Sequence, residues 1–110
     1  MTRNLRALWV CLFCSGFAMV AHAQKYPERP LRLIVPFSPG GTSDLVGRLL
    51  ATRLGDEIGQ TVIVDNRGGG GSTLGTGIAA RAAPVGYTLI VSHIPLAINQ
   101  KLYSKLTYRA

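Results

Sequence analysis

The sequence predicts an α/β protein, a partial doubly wound parallel sheet in the order β-α-β-α-β with one further helix. Three observations predict it. The runs Leu31 to Phe37, Val62 to Asp65 and Tyr87 to Ser92 are rich in Val, Ile, Leu and aromatics and lack strict alternation, as strands covered on both faces do. Between them lie segments of helical period. Strands that alternate with helices form a parallel sheet through right-handed crossovers.

The segment from Met1 to Ala23 stands outside that pattern. Arg3 and Arg6 precede an uncharged run from Ala7 to Val20, and Ala21-His22-Ala23 has the small-x-small form that signal peptidase cuts after. Export to the periplasm with cleavage after Ala23 is therefore expected, with Gln24 as the first mature residue. The run is shorter than the roughly 18 apolar residues that span a bilayer. Phe13 is a poor fit to the small residue that lipoprotein processing requires before a lipidated Cys14. Cys11 and Cys14 leave with the leader, so the mature chain has no disulfide and relies on packing.

The first strand, from Leu31, leads through a proline- and glycine-rich turn into a helix that begins at Thr42-Ser43-Asp44. Val46, Leu49, Leu50, Leu54 and Ile58 form its apolar side, Arg48, Arg53, Asp56 and Glu57 its polar side, and Gly59 is placed to stop it. After the second strand, Ser72 to Ala83 reads as a helix with Leu74, Ile78 and Ala82 on one face, small enough to pack closely on a sheet. Pro84 and Gly86 end it before Tyr87. A last helix is expected from about Leu96 to Tyr103.

The 110 residues hold 12 Lys+Arg against 5 Asp+Glu, a formal charge of +7, with 47% hydrophobic residues. So apolar a composition excludes a disordered tail. The bases are scattered along the chain, which argues against a nucleic-acid partner. Without the leader the charge is +5, ten bases against five acids.

Ligands of open α/β sheets gather at the carboxyl ends of the strands. The loop Pro36-Phe37-Ser38-Pro39-Gly40-Gly41-Thr42 is stiffened by two prolines, and its glycines admit a ligand close to the backbone. The helix behind it offers free N–H groups and a positive dipole end, suited to a carboxylate or phosphate. Thr42, Ser43 and Asp44 also read as capping residues, and Asp44 reads as structural before it reads as a ligand contact.

The second loop, Asn66-Arg67-Gly68-Gly69-Gly70-Gly71-Ser72-Thr73, reads equally as an anion cradle or a flexible connection. Gly75-Thr76 lacks the lysine of a P-loop. Gly75-Thr76-Gly77-Ile78-Ala79-Ala80 fits a dinucleotide glycine pattern but lies inside a helical segment, and no acid follows at about 20 residues on. In the third loop Ser92 is placed to cap or to reach an anion, and His93 reads as a solvated loop residue. One mature histidine and no cysteine leave no zinc cluster, and no catalytic triad stands together in sequence.

Tyr26-Pro27-Glu28-Arg29-Pro30-Leu31-Arg32-Leu33-Ile34-Val35-Pro36-Phe37-Ser38-Pro39-Gly40-Gly41-Thr42-Ser43-Asp44 resembles the opening of the substrate-binding receptors of tripartite tricarboxylate transporters, the Bordetella uptake gene (Bug) family. Gly59-Gln60-Thr61-Val62-Ile63-Val64-Asp65-Asn66-Arg67, Gly86-Tyr87-Thr88-Leu89 and Leu102-Tyr103 continue the likeness in order. The resemblance implies a periplasmic-binding-protein-like fold, with residues 24–110 as the N-terminal part of its first lobe and residues 1–23 as its signal peptide. It further implies capture of a small organic carboxylate, transfer to a membrane permease, no cofactor and no catalysis. Carried over residue by residue, the contacts are Phe37, Pro39, Gly40, Gly41 and Thr42, with Ser92 and Ala97 from the third loop and helix. Gly68, Val85, Thr107 and Arg109 depart from residues common in the family, all but the first outside the first two loops. The chain stops after a helix with only three strands, so a fragment of a larger receptor is expected. The alternatives are a nonfunctional truncated remnant and, less favoured, an exported nucleotide-binding enzyme.

Overall fold

The structure, a computed structural model, describes residues 25–109; the expected leader and its cleavage point lie outside the described residues. Strands β1 (Leu31–Val35), β2 (Val62–Asn66) and β3 (Thr88–Ile90) alternate with helices α1 (Thr42–Ile58), α2 (Thr73–Ala80) and α3 (Ile94–Leu102). The sheet is parallel in the order β2-β1-β3, with Leu31 opposite Val62 and Arg32 opposite Thr88. β1 is central and nearly all buried, which is why its run Leu31-Arg32-Leu33-Ile34-Val35 does not alternate.

The chain leaves β1 for one side of the sheet and then crosses back to the other. With right-handed crossovers this puts α1 and α2 on opposite faces. Consecutive residues confirm it, since side chains alternate across a strand: a Cβ on Gly47 of α1 would meet Val35, and one on Gly75 of α2 would meet Pro36.

The packed face of α1 differs from the expected one. Asp44, Gly47 and Ala51 are its buried residues, whereas Leu45 and Leu49 are 71% and 61% exposed, and Val46 and Leu50 are exposed as well. Leu54 and Ile58 are half-buried, as a seam running through positions 44, 47, 51, 54 and 58 requires. The cause is distance. A Cβ on Gly47 would lie 2.7 Å from Val35 Cγ2, so the helix sits too near the strand for a leucine seam. Gly59, with φ 68°, donates its N–H to the Gly55 carbonyl at 3.0 Å and ends α1 as expected.

α2 follows the same rule. Gly75, Thr76 and Gly77 are buried, Leu74 is 52% exposed, and the helix ends at Ala80, ahead of the proline and glycine expected to stop it. The expected close packing is present, on glycines instead of on Leu74, Ile78 and Ala82: a Cβ on Gly75 would stand 2.6 Å from the Arg67 carbonyl oxygen. α3 begins at Ile94, ahead of the expected Leu96, because Pro95 occupies its first turn, where a missing N–H costs nothing.

At the amino end of the sheet Tyr26 donates its hydroxyl to the Gly86 carbonyl (2.6 Å) and packs edge-on against Tyr87 (centroids 5.1 Å apart). Arg29 lies 4.3 Å over the Tyr87 ring. Among the described residues no helix is long and apolar enough to cross a membrane, and no group of three or more His, Cys, Asp or Glu is placed to hold a metal.

Candidate functional site

The strand order reverses direction between β1 and β3, so the crevice beyond their carboxyl ends is where this topology opens a site. The loops on its two sides meet. Phe37, after β1, stacks on His93, after β3, with centroids 4.7 Å apart and planes 15° from parallel. Ser43 Oγ and His93 Nε2 are 3.0 Å apart, joining the first turn of α1 to the residue that precedes α3. His93, expected as a solvated loop residue, is exposed yet is the link between the two loops. It, and not Ser92, occupies the N-cap position of α3, with no side-chain cap bond.

The first loop is held from below by Asp44, which is 5% exposed. Its Oδ2 accepts from the Gly40 N–H (2.9 Å) and from Arg48 Nε (3.1 Å), while Oδ1 accepts from Asn66 Nδ2 (3.0 Å). Asn66 Nδ2 also donates to the Phe37 carbonyl at 3.3 Å, tying the end of β2 to the same loop. The Gly40 amide hydrogen bond, then those from Arg48 and Asn66, hold the Asp44 carboxyl at about 2, below its ordinary 3.8. Asp44 therefore carries a negative charge whose acceptors are turned inward. Its role is structural, as its position in the sequence favours.

Phe37 is half-buried, and Pro39, Gly40, Gly41 and Thr42 are exposed around the turn into α1. Gly40 has φ +89°, a conformation that favours glycine, and its N–H is committed to Asp44. Leu45 donates to the Gly41 carbonyl at 3.1 Å, which closes the first turn. The N–H groups of Thr42, Ser43 and Asp44 precede any helical acceptor and face the crevice end of the sheet. Across the gap Ser92 is half-buried and Ala97 exposed, and with His93 and Leu96 they line a shallow pocket. The structure thus brings residues of the first and third loops to one rim.

The glycine run is a built turn. Gly69, Gly70, Gly71 and Ser72 all have positive φ, and Asn99 Nδ2 of α3 donates to the Gly71 carbonyl (2.8 Å) and reaches Ser72 Oγ (3.4 Å). Gly68 lies so close to the first loop that a Cβ there would stand 3.0 Å from the Ser38 nitrogen. Asn66 and Asn99, the two buried or half-buried amides that fasten these loops, carry no sequence signal beyond their position at element ends. A broad groove between α1 and β2, lined by Ala51, Gly55, Gln60 and Val62, opens near the start of β2, away from this rim.

On the edge strand β2, away from the β1–β3 crevice, Asp65 accepts from Arg32 and, at 2.9 Å, from Arg67. Burial raises its carboxyl, and the hydrogen bonds from the two arginines outweigh that and hold it below its ordinary value.

Known proteins resemble this chain in sequence and in fold. Residues 46–110 match the family described as Tripartite tricarboxylate transporter family receptor, TctC. The chain is 41% identical over 111 aligned residues to Protein BugT of Bordetella pertussis, covering 99% of this chain and 34% of that protein. Among solved structures, the periplasmic binding protein BugD superposes with a TM-score of 0.74 at 43% identity, over 76% of this chain and 28% of that one. MatC from Rhodopseudomonas palustris, solved with bound malate, superposes with a TM-score of 0.67 at 38% identity, over 76% of this chain and 29% of that one. The chain spans between 21% and 34% of the length of the curated relatives it matches. Its open parallel sheet is part of the fold of these binding proteins. A backbone that superposes on solved receptors, 41% identity along nearly the whole chain, and a family match over more than half its length together place this chain in the tripartite tricarboxylate transporter receptor family.

Proposed function

We propose that the chain forms the N-terminal part of the first lobe of a periplasmic receptor that captures a small organic carboxylate and delivers it to a membrane permease, without chemical conversion. The observation that carries this reading is the Phe37–His93 stack, which holds the loops after β1 and β3 at one rim between two helix N-termini. A carboxylate placed there accepts from the N–H groups of Thr42 and Ser43 and from the hydroxyls of Thr42 and Ser92, within the positive end of the α1 dipole. Phe37, Pro39, Gly40, Gly41 and Ala97 shape the wall around it. Gly40 contributes its bare Cα and not its N–H, because that N–H is bonded to Asp44. The malate named for MatC is a ligand of the chemistry proposed.

Export is proposed on the leader pattern of residues 1–23. The mature N-terminus of the exported protein is expected at Gln24, read by terminal sequencing. For binding, the test is an NMR titration of the isotope-labelled chain with malate, against sodium chloride at equal ionic strength. The amides of Gly41, Thr42, Ser43 and Ser92 are expected to shift together with weak, millimolar-range saturation, as one lobe supplies only part of the contacts. Malate shifts confined to the opposite end of the sheet would exclude this rim as the site, and micromolar saturation would contradict the reading that one lobe supplies only part of the contacts.

A further inference from the structure

The acids of the chain, Glu28, Asp44, Asp56, Glu57 and Asp65, all precede residue 66, whereas Arg67, Arg81, Lys101, Lys105 and Arg109 follow it. Two of these acids are held in ion pairs. Asp44 holds Arg48, and Asp65 holds Arg32 and Arg67. Among the described residues Arg81, Lys101, Lys105 and Arg109 enter no ion pair.

Their scatter in sequence is undone by the fold. Arg81 and Lys105 line one groove beside α2, together with Leu74, Tyr103 and Leu106. A Cβ on Gly77 would strike Thr107 Oγ1 and come 3.5 Å from the Arg81 guanidinium, so both groups stand over the same bare stretch of helix. Tyr103 and Leu106 also border the adjoining depression, which Arg109 lines. Leu74 and Tyr103 stay exposed in the groove, and Lys101 and Leu102 are exposed at the end of α3. The surface is therefore an apolar strip flanked by unneutralised cations. Like charges gathered in this way repel, and a counter-charged partner relieves that repulsion while covering apolar area.

From this charge complementarity we propose that the groove between α2 and the segment 103–109 is a docking surface for an acidic polypeptide segment that interleaves carboxylates with apolar side chains. Arg81 and Lys105 take the carboxylates, and Leu74 and Tyr103 take the apolar groups. A planar guanidinium accepts a carboxylate in two parallel hydrogen bonds, which favours acidic side chains over a diffuse negative field. The inference does not depend on the carboxylate reading of the rim, since none of these residues belongs to it.

The test is fluorescence anisotropy of the chain with a labelled peptide of alternating Glu and Leu. Charge reversal by Arg81→Glu with Lys105→Glu is expected to weaken binding about tenfold or more, equivalent to about 1.4 kcal/mol. Lys25→Glu with Arg53→Glu removes the same net charge from exposed positions elsewhere and is expected to have a much smaller effect. Arg81→Gln with Lys105→Gln serves should the reversal unfold the chain, and Leu74→Ser is expected to weaken the peptide without changing its salt dependence. Equal loss in the two reversed pairs would overturn the proposal, as would absence of binding. So would tighter binding of phosphatidylglycerol vesicles or duplex DNA than of the peptide.

Discussion

Asp44 shows how one side chain sets the shape of a binding loop. Its carboxylate gathers an amide from the loop it follows, a guanidinium one turn along its own helix and the amide group at the end of β2. Ionisation and loop shape are therefore coupled. Because the folded carboxyl sits at about 2 and the unfolded one at 3.8, its stabilisation is complete above 3.8 and disappears as the pH falls through about 2. Asp65, also lowered, adds to the same acid-side loss. Asp44→Asn is expected to be less stable at neutral pH and to lose less stability than the parent as the pH falls from 3.8 to about 2, read by urea unfolding at stepped pH. An unchanged pH slope would show that the three hydrogen bonds do not control the carboxyl. The sequence puts Asp44 in a first helical turn but contains nothing to announce Asn66 or Asn99, because an amide that clamps a distant loop looks like any other polar residue at an element end.

The helices are legible in position but not in orientation. Hydrophobic periodicity assumes that the largest apolar side chains face inward, and here the closest approach is made by residues with almost no side chain. Gly47 and Gly75 let their helices lie against Val35 and Pro36, and the displaced Leu45, Leu49 and Leu74 turn outward. Gly75→Ala is expected to destabilise by about 1–3 kcal/mol from overpacking, more than the ~1 kcal/mol that alanine gains in helix propensity. Its added Cβ would face backbone, which cannot swing aside. Leu49→Gln, at an exposed position, is expected to change stability by no more than about 0.5 kcal/mol. Denaturant melts of both variants check the pair of values, and reversal of their order would restore the leucine face as the packed one. The strands are read more easily, and Leu31, Val62 and Thr88 begin at or next to the expected starts, but only β1 is covered on both faces as expected, whereas β2 and β3 are half-buried edge strands with Ile63 exposed.

At the scale of the molecule, the buried hydrophobic residues among those described are Leu31, Leu33, Ile34, Val35, Ala51 and Tyr108, so one strand supplies most of the core. A chain of this size buries a modest share of its surface and gains correspondingly little stability. Its unfolding free energy is expected at or below about 5 kcal/mol, with binding of an apolar dye in the native state through Leu45, Leu49, Ile94 and Leu102. A value of about 10 kcal/mol from urea unfolding, in the middle of the range for native domains, or no dye binding, would contradict that reading of the core. The strand order β2-β1-β3 has one more consequence. The middle strand is made first, and both neighbours come from far along the chain, Leu31 pairing with Val62 and Arg32 with Thr88. Both pairings close long loops, which slows folding. The gap between the first and third turns exists only after Thr88–Ile90 has zipped onto its partner, so the pocket cannot form ahead of that pairing.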